Sequence, residues 1–360
     1  MWPYFVMFLI PALAALKERQ RPLGLVTSQH MIRLTGSWLL IALALTVLVG
    51  LRFEVGGDWG NYLKNLDEAA YRDFADSASW SDPGYRLIEW LAVQLDWGIT
   101  GVNLACAVFF SFGLVVFCRS LPRPWLGLAV AVPYLVIIVG MGYTRQGIAI
   151  GCAMVGLVAL GRQRIAPFLV WVLIAATFHK SAVLLMPIAA LAATKRRGWS
   201  AFWVVVITSL AYVLMLQDSV DALRTNYLEA EYASEGALVR LLMNALPAAL
   251  FLIYRRRFAM TRPQVALWTW FSIISFGLLA VYFVSPSSTA VDRVALYVLP
   301  LQLVVFSFLP EVWSRPRSPQ NRVFVLGVLL YYAVVELVWL NFANNASYWL
   351  PYRLYFTELL

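Results

Sequence analysis

The sequence predicts an all-α protein: a polytopic transmembrane helical bundle of about twelve spans, forming one integral membrane domain over residues 1–360. Hydrophobic residues make up 61% of the chain and charged residues 13%, and the mean hydropathy is +0.73. Soluble domains are roughly 45–50% apolar and about 25% charged. A spanning helix needs about 20 mainly apolar residues. The composition therefore excludes an ordinary soluble protein.

The apolar runs follow one another with short breaks. The first is followed, not preceded, by its basic residues, which predicts an uncleaved span with its N-terminus outside and not a signal peptide. The predicted spans are 2–16, 36–51, 99–117, 124–141, 147–161, 165–178, 182–194, 200–216, 237–254, 264–284, 294–309 and 323–340.

The charges alternate between the predicted loops. With odd spans entering from outside, the cytoplasmic loops hold 18 of the 28 basic residues and only two acids, Glu18 and Glu311. The outer side holds 10 basic residues and 16 of the 19 acids. Cytoplasmic loops are enriched in Lys and Arg, so this pattern predicts both termini on the outer side. It also explains the net charge of +9 without a nucleic-acid partner.

Two predicted outer loops are long, 52–98 and 217–236. In the first, the apolar residues of Tyr85–Trp97 have the spacing of an amphipathic helix lying on the membrane surface. The three cysteines, Cys106, Cys118 and Cys152, fall in or at the ends of apolar runs without metal-ligand spacing. We therefore expect buried thiols, no metal site and no cofactor.

Several unusual polar residues share the predicted outer side. Ionisable groups next to apolar runs are costly unless they face a cavity or a partner, so they are functional candidates by default. Structural alternatives stay open. Arg52 and Arg353 could be interface anchors, and Arg145 and Arg293 could form structural ion pairs. His179 could be a hydrogen-bonded core histidine. The candidates are Arg52, Asp58, Arg145, Gln146, His179, Lys180, Arg293 and Arg353.

Separated arginines and a lysine around one outward cavity suit a multiply charged anion, because guanidinium groups bind phosphate bidentately. A carboxylate there would oppose phosphate binding unless it acts on a nucleophile. Together these groups indicate transfer from a phosphate leaving group to a hydroxyl. The outer aromatic residues predict either sugar-stacking surfaces or an interfacial belt; they are Trp59, Tyr62, Trp80, Tyr85, Tyr348, Trp349 and Tyr352.

An ordered set of short motifs spans nearly the whole chain and resembles the EpsG family of Wzy-like polysaccharide polymerases. One departure is that Gly57 precedes Asp58 directly, where the family often has a small residue between glycine and acid. The motifs are Arg52-x3-Gly56-Gly57-Asp58-x3-Tyr62, Asp82-Pro-Gly-Tyr85 with Glu89, Arg145-Gln146-Gly147, Phe178-His179-Lys180-Ser181, Asp292-Arg293-x3-Tyr297 and Trp349-Leu-Pro-Tyr-Arg353.

The resemblance implies a GT-C-like membrane glycosyltransferase of the bacterial inner membrane. Such an enzyme polymerises lipid-linked repeat units for exopolysaccharide, capsule or O-antigen on the periplasmic face. It moves the glycan from undecaprenyl pyrophosphate to a new lipid-linked repeat, without a nucleotide sugar or an obligatory metal. A chain-length regulator and a flippase are implied partners.

The resemblance also implies roles for the candidate residues. Asp58 would be the general base. The pyrophosphate would be bound by Arg145, which we count with the catalytic residues, and by Arg293 and Arg52. His179 would act in catalysis, assisting the leaving group or the acceptor. The remaining members would bind substrate, and they are Tyr62, Gln146, Lys180 and Arg353.

Other functions stay open. A flippase or exporter should carry charges along a path through both halves of the membrane. A membrane O-acyltransferase would use His179 as its base. An O-antigen ligase differs only in its acceptor, and a purely structural scaffold gives no reason for Arg145 and His179 at membrane depth.

Overall fold

The computed structural model describes residues 1–18, 34–74, 81–192, 197–215, 236–316 and 318–357. These residues are almost entirely helical, and their only β-type pairing is an isolated bridge between Arg52 and Leu354. The all-α prediction is confirmed for this part of the chain. The second predicted outer loop lies outside the described residues except for Gly236, and Trp80 lies outside them too.

The helices of the first half follow the predicted runs, with two more in the first outer loop. A π-helix, Val132–Gly140, continues the α-helix that begins at Pro124. The helices are α1 (Trp2–Lys17), α2 (Gly36–Gly50), α3 (Trp59–Ala69), α4 (Pro83–Gln94), α5 (Gly98–Arg119), α6 (Pro124–Ala131), α7 (Thr144–Gly161) and α8 (Ile165–Phe178).

The second half begins with a break at His179, followed by the 3₁₀ helix Lys180–Leu185. Further 3₁₀ turns are Leu296–Val298, Asn344–Trp349 and Tyr355–Thr357. The remaining helices are α9 (Pro187–Ala192), α10 (Arg197–Met215), α11 (Ala237–Tyr254), α12 (Arg262–Tyr282), α13 (Ser288–Ala295), α14 (Pro300–Trp313) and α15 (Pro319–Phe342).

Five of the described helices, α5, α7, α11, α12 and α15, are long and apolar enough to cross a membrane. The segments Ser288–Val298 and Pro300–Trp313 give a sixth candidate, bent by 45°. Five shorter apolar helices match other predicted runs. The chain is therefore a multi-pass membrane protein, while the count of twelve spans stays a prediction.

Glycines bring the central helices together. The α7 helix packs against α5 and α8, and α2 packs against α5. A Cβ added at Gly151 would lie 2.7 Å from the backbone Cα of Phe110. Small residues that allow backbones to approach are typical of membrane helix interfaces. This close packing fixes the N-terminus of α7, where Thr144 and Arg145 lie.

The predicted amphipathic helix corresponds to α4. Tyr85, Glu89 and Ala92 are buried on a helix that packs against α3, α5 and α8, whereas Leu87 and Leu91 are exposed. A helix is present in this part of the loop, while its amphipathic character and its location on a membrane surface stay predictions.

The first and last described segments meet at one end of the bundle. The Tyr4 hydroxyl donates to the Trp349 carbonyl at 2.6 Å, and the Tyr355 N–H donates to the Leu51 carbonyl at 2.8 Å. Arg123 and Glu311, which the charge pattern assigns to the cytoplasm, pair with each other, 2.7 Å apart. This arrangement agrees with the predicted alternation; which end faces the periplasm stays a prediction.

Candidate active site

The first outer loop, the N-terminus of α7, the break after α8, and α13 bring most of the predicted polar residues to one end of the bundle. We call Asp58, Asp82, Arg145, Arg293 and Lys180 the polar cluster. Its members come from segments that are far apart in the sequence, and the predicted topology places these segments on the same side of the membrane.

Asp58 and Arg293 form the open side of the polar cluster. Asp58 immediately precedes α3, yet its side chain accepts no hydrogen bond from the helix N-terminus. Its Oδ2 lies 3.8 Å from a terminal guanidinium nitrogen of Arg293, and the two side chains are 26% and 33% exposed. The Arg293 guanidinium carbon lies 4.3 Å from the centre of the Tyr143 ring. This cation–π contact orients the guanidinium.

Arg145, at the start of α7, is held by aromatic rings and a carboxylate. Its guanidinium carbon lies 5.7 Å from the Tyr85 ring centre and 6.0 Å from that of Tyr62. One terminal nitrogen lies 3.4 Å from Asp82 Oδ2, and about a third of the Arg145 side chain is exposed. Burial raises the pKa of Tyr62, so this ring stays neutral beneath the cation.

Asp82 belongs to this site although it was not among the candidate residues predicted from the sequence. The residue is only 8% exposed and its φ of 53° is left-handed, which costs energy in a non-glycine residue. Burial raises the pKa of its carboxyl group, while Arg145 and Lys180 act in the opposite direction. The sequence signal for it was Asp82-Pro-Gly, in which Asp82 directly precedes α4 and Pro83 is its first residue.

Lys180 and His179 occupy the break after α8. The Lys180 N–H donates to Asp82 Oδ1 at 3.2 Å, and its ammonium group lies 3.4 Å from the Ser81 hydroxyl. His179 Nδ1 lies 2.6 Å from the Ser181 hydroxyl oxygen. Burial, followed by the nearby cations, lowers the pKa of His179 to about 3. The imidazole is therefore neutral at physiological pH.

Gln146 acts on the backbone that carries Arg293. It is 1% exposed, and its amide nitrogen donates to the Arg293 carbonyl at 2.5 Å. This bond ties the N-terminus of α7 to α13. The structure thus places Gln146 beside the polar cluster, with its side chain buried.

Arg52 lies in the protein interior. It is 1% exposed, and its guanidinium donates to the carbonyls of Val49 and Val55. It also donates to Asn103 Oδ1 at 3.1 Å and to the Thr144 hydroxyl at 2.7 Å. These four partners are neutral, and they join the end of α2 to α5 and α7. Direct contact of Arg52 with substrate stays a prediction.

Arg353 lies on an exposed surface beside the glycine-rich stretch. Its guanidinium donates to Glu54 Oε2 at 2.9 Å, and both side chains are more than a third exposed. The Phe53 N–H donates to the Arg353 carbonyl at 3.0 Å. Arg353 therefore flanks the polar cluster, at the edge of a groove that passes Gly57 and Trp59.

The outer aromatic residues that the structure describes differ in exposure. Tyr62, Tyr85 and Trp349 are at most 3% exposed, whereas Tyr348 is 56% exposed. The Trp349 indole N–H donates to the Ile137 carbonyl at 2.8 Å. The buried rings support the site from within, and they do not form a surface for sugar rings.

The model of the EpsG family, a family of Wzy-like polysaccharide polymerases, matches residues 37–354, so the chain belongs to that family. The match covers every member of the polar cluster. No curated protein and no solved structure matches the chain. Family membership suggests a glycosyltransferase-like polymerase that acts in exopolysaccharide synthesis on lipid-linked sugars in a membrane.

Proposed function

We propose that this member of the EpsG family polymerises repeat units linked to undecaprenyl pyrophosphate, on the periplasmic face of a bacterial inner membrane. It transfers the donor glycan to a hydroxyl of a second lipid-linked repeat. The product is an exopolysaccharide, a capsule or an O-antigen chain. Asp58, Arg145 and Arg293 carry the reaction.

The observation that supports this proposal most is the open contact between Asp58 and Arg293. A carboxylate that is 26% exposed, 3.8 Å from a guanidinium that is 33% exposed, is accessible to substrate. Arg145 adds a second guanidinium of similar exposure. Fixed cations stabilise a departing pyrophosphate, and a nearby carboxylate accepts the proton of the attacking hydroxyl.

The reaction balances within these groups. The acceptor hydroxyl oxygen bonds to the anomeric carbon of the donor as the bond from that carbon to the pyrophosphate oxygen breaks. The hydroxyl proton passes to the Asp58 carboxylate. Undecaprenyl pyrophosphate leaves with the bonding electron pair, and Arg145 and Arg293 bind its added negative charge. Lys180 and the neutral His179 lie close enough to orient the leaving group.

Arg52, Gln146 and Asp82 act as positioning residues in this account. Arg52 fixes the end of α2 against Thr144, which precedes Arg145. Gln146 holds the backbone of Arg293, and Asp82 contacts both Arg145 and the Lys180 backbone. These contacts pre-organise the cations before substrate arrives, which lowers the cost of stabilising the transition state.

An apolar groove supports a donor with a long lipid chain. It has a volume of about 480 Å³, runs between α11 and α15, and is lined mainly by apolar side chains, Val335 and Val338 among them, with Arg240 and Asn344 near the helix ends. Arg240 pairs with Asp292, the neighbour of Arg293. A lipid chain in this groove would have its head group next to the polar cluster.

The test uses a strain that lacks this protein, complemented with wild type or Arg145→Ala. Gels of lipid-linked and surface glycan should show a ladder with wild type. With Arg145→Ala, single repeats should accumulate outside while the protein stays abundant. Wild-type chain lengths from Arg145→Ala would refute the pyrophosphate role of this residue. Repeats trapped on the cytoplasmic face would indicate a flippase.

One observation favours a second candidate, a membrane O-acyltransferase. The Ser181 hydroxyl lies 2.6 Å from His179 Nδ1, within reach for activation of a nucleophile. However, a histidine with a pKa of about 3 is a weak base. If acyl transfer is the reaction, Ser181→Ala should remove a substituent and leave the glycan ladder intact. If polymerisation is the reaction, the substituents should not change.

A further inference from the structure

A groove beside Asp58 is separate from the cations of the polar cluster. It has a volume of about 550 Å³ and lies between the glycine-rich stretch, the start of α3 and the C-terminal segment Ser347–Arg353. Its volume falls within the range of about 300–1,000 Å³ typical of ligand sites. Arg353, Trp59 and Tyr348 line it, and the reaction steps proposed above leave its occupant open.

The lining of the groove suits a sugar ring. Trp59 and Tyr348 contribute aromatic side chains, and Asn61 and Ser347 contribute polar ones. Tyr348 is 56% exposed, so its ring is accessible. A pyranose has apolar C–H faces that stack on aromatic rings and an edge of hydroxyls that pair with amide and hydroxyl groups. Amphipathic aromatic residues serve both needs.

The charge of the groove argues against pyrophosphate. Its acid and its cation, Glu54 and Arg353, lie 2.9 Å apart and offset each other. The cations with looser carboxylate contacts, Arg145 and Arg293, belong to the polar cluster. The phosphate end of the donor therefore has its binding groups in the polar cluster, and the groove is left for an uncharged part of a substrate.

The position of the groove relative to Asp58 indicates which part of a substrate it binds. Gly57 and Trp59, the neighbours of Asp58 in the chain, both line the groove. We infer that the groove binds the non-reducing-end sugars of the acceptor repeat and presents their terminal hydroxyl to Asp58. This inference rests on the proposed polymerase function.

A space-filling substitution tests the groove. A Cβ added at Gly60 meets no atom within 4 Å, and the same holds at Gly327 on α15, outside the groove. Gly60→Trp should therefore block the groove without disturbing the backbone, and Gly327→Trp is the matched control. Detergent elution profiles and melting temperatures like those of wild type would show that both variants fold.

The ligand is the repeat oligosaccharide, released from its lipid and pyrophosphate and titrated calorimetrically into the purified proteins. Wild type and Gly327→Trp should bind it, and Gly60→Trp should bind it at least tenfold more weakly. Absence of binding to wild type, or equal binding to Gly60→Trp, would overturn the inference.

A truncation gives a second, milder test. Tyr348→Ala removes the exposed ring, and Tyr71→Ala removes a ring that is 92% exposed and outside the groove. Tyr348→Ala should weaken glycan binding several-fold and shorten the polymer, while Tyr71→Ala should change neither. Equal effects of the two substitutions would contradict a sugar-stacking role for Tyr348.

Extension of the free oligosaccharide separates acceptor from donor. With lipid-linked donor present, wild type should lengthen the free oligosaccharide by one repeat, as detected by mass. Inhibition of polymerisation without extension would overturn the acceptor assignment. If the groove inference alone is wrong, Arg145→Ala should still abolish the ladder. If Arg145→Ala leaves the ladder unchanged while the oligosaccharide still binds, only the polymerase role of the cations is refuted.

Discussion

The two ends of the bundle both carry arginine–carboxylate pairs, but the pairs differ in distance and exposure. At one end, Arg123 is 5% exposed and lies 2.7 Å from Glu311 and 2.6 Å from Asn321. At the other end, the contacts of Arg145 and Arg293 with carboxylates are 3.4 Å and 3.8 Å long, and about a third of each side chain is exposed. We call the Arg123–Glu311 pair closed, because it is short and buried. We call the pairs of Arg145 and Arg293 open, because they are longer and partly exposed.

This difference separates a structural role from a functional one. A closed pair with little exposure joins helices and costs much to break. An open pair adds little to stability, and its cation is reachable by an anionic substrate. The same contrast recurs on α13, where Asp292 holds Arg240 through two bonds of 2.7 and 2.8 Å. Its neighbour Arg293 makes the longest ion-pair contact of the polar cluster.

The largest effect should follow loss of the proposed base. Asp58→Asn keeps the shape of the side chain but removes its ability to accept a proton, so the polymerisation rate should fall about 10²- to 10⁴-fold. The rate is measured from repeat units consumed by purified protein. Asp67→Asn, at an exposed acid on α3, is the control. A rate retained by Asp58→Asn would exclude this residue as the base.

The next effect sharpens the contrast between the two ends. Arg123→Ala leaves Glu311 and Asn321 buried without their cation, which should lower the free energy of unfolding by about 3–5 kcal/mol. The measurement is the thermal midpoint in detergent together with membrane abundance. Arg322→Ala, which removes an exposed arginine on α15, should leave both unchanged. Normal stability of Arg123→Ala would end the interpretation of this pair as structural.

Arg293→Ala should show the opposite pattern. Removal of one charge-assisted contact with pyrophosphate costs about 1.5–3 kcal/mol, equivalent to a loss of roughly 10- to 150-fold in turnover of lipid-linked repeats. Long polymer should disappear from the gel while the thermal midpoint stays close to wild type. Lys64→Ala, at an exposed lysine on α3, serves as control. A large fall in the thermal midpoint of Arg293→Ala would show that Arg293 has a structural role like that of Arg123.

The smallest effect concerns pH. The folded protein lowers the pKa of His179 from 6.5 to about 3, so the unfolded chain binds more protons in this window. Stability supplied by the neutral histidine is then fully present above about pH 6.5 and is lost as the pH falls toward 3. His179→Asn should reduce the fall of the thermal midpoint between about pH 7 and pH 5. An unchanged fall would show that His179 titrates normally.

The sequence predicted the membrane class and most of the polar cluster, because alternating loop charges assign a side to each segment. This assignment predicted one shared side for four residues that the structure places at the same end of the bundle: Arg145, His179, Lys180 and Arg293. It showed Asp82 only as part of the Asp82-Pro-Gly-Tyr85 motif and not as a site residue, because nothing in composition distinguishes one loop acid as buried. Nor did it show that Arg52 is enclosed, because burial depends on how α2, α5 and α7 pack.

The aromatic residues show the same limit. Trp59, Tyr85 and Tyr348 have equal claims in the sequence as members of an interfacial belt or a sugar surface. Packing of α4 and of the C-terminal segment buries Tyr85 and leaves Tyr348 exposed. Residue type alone does not carry this information, because it arises from contacts between segments that are far apart in the chain.

The most direct test of the central claim is reconstitution of the purified protein in liposomes with lipid-linked repeat units alone. We expect a ladder of lipid-linked polymer and release of undecaprenyl pyrophosphate, with no nucleotide sugar and no second protein. Single repeats that stay unlinked, or that only move between leaflets, would contradict the account of the open arginines as a catalytic site.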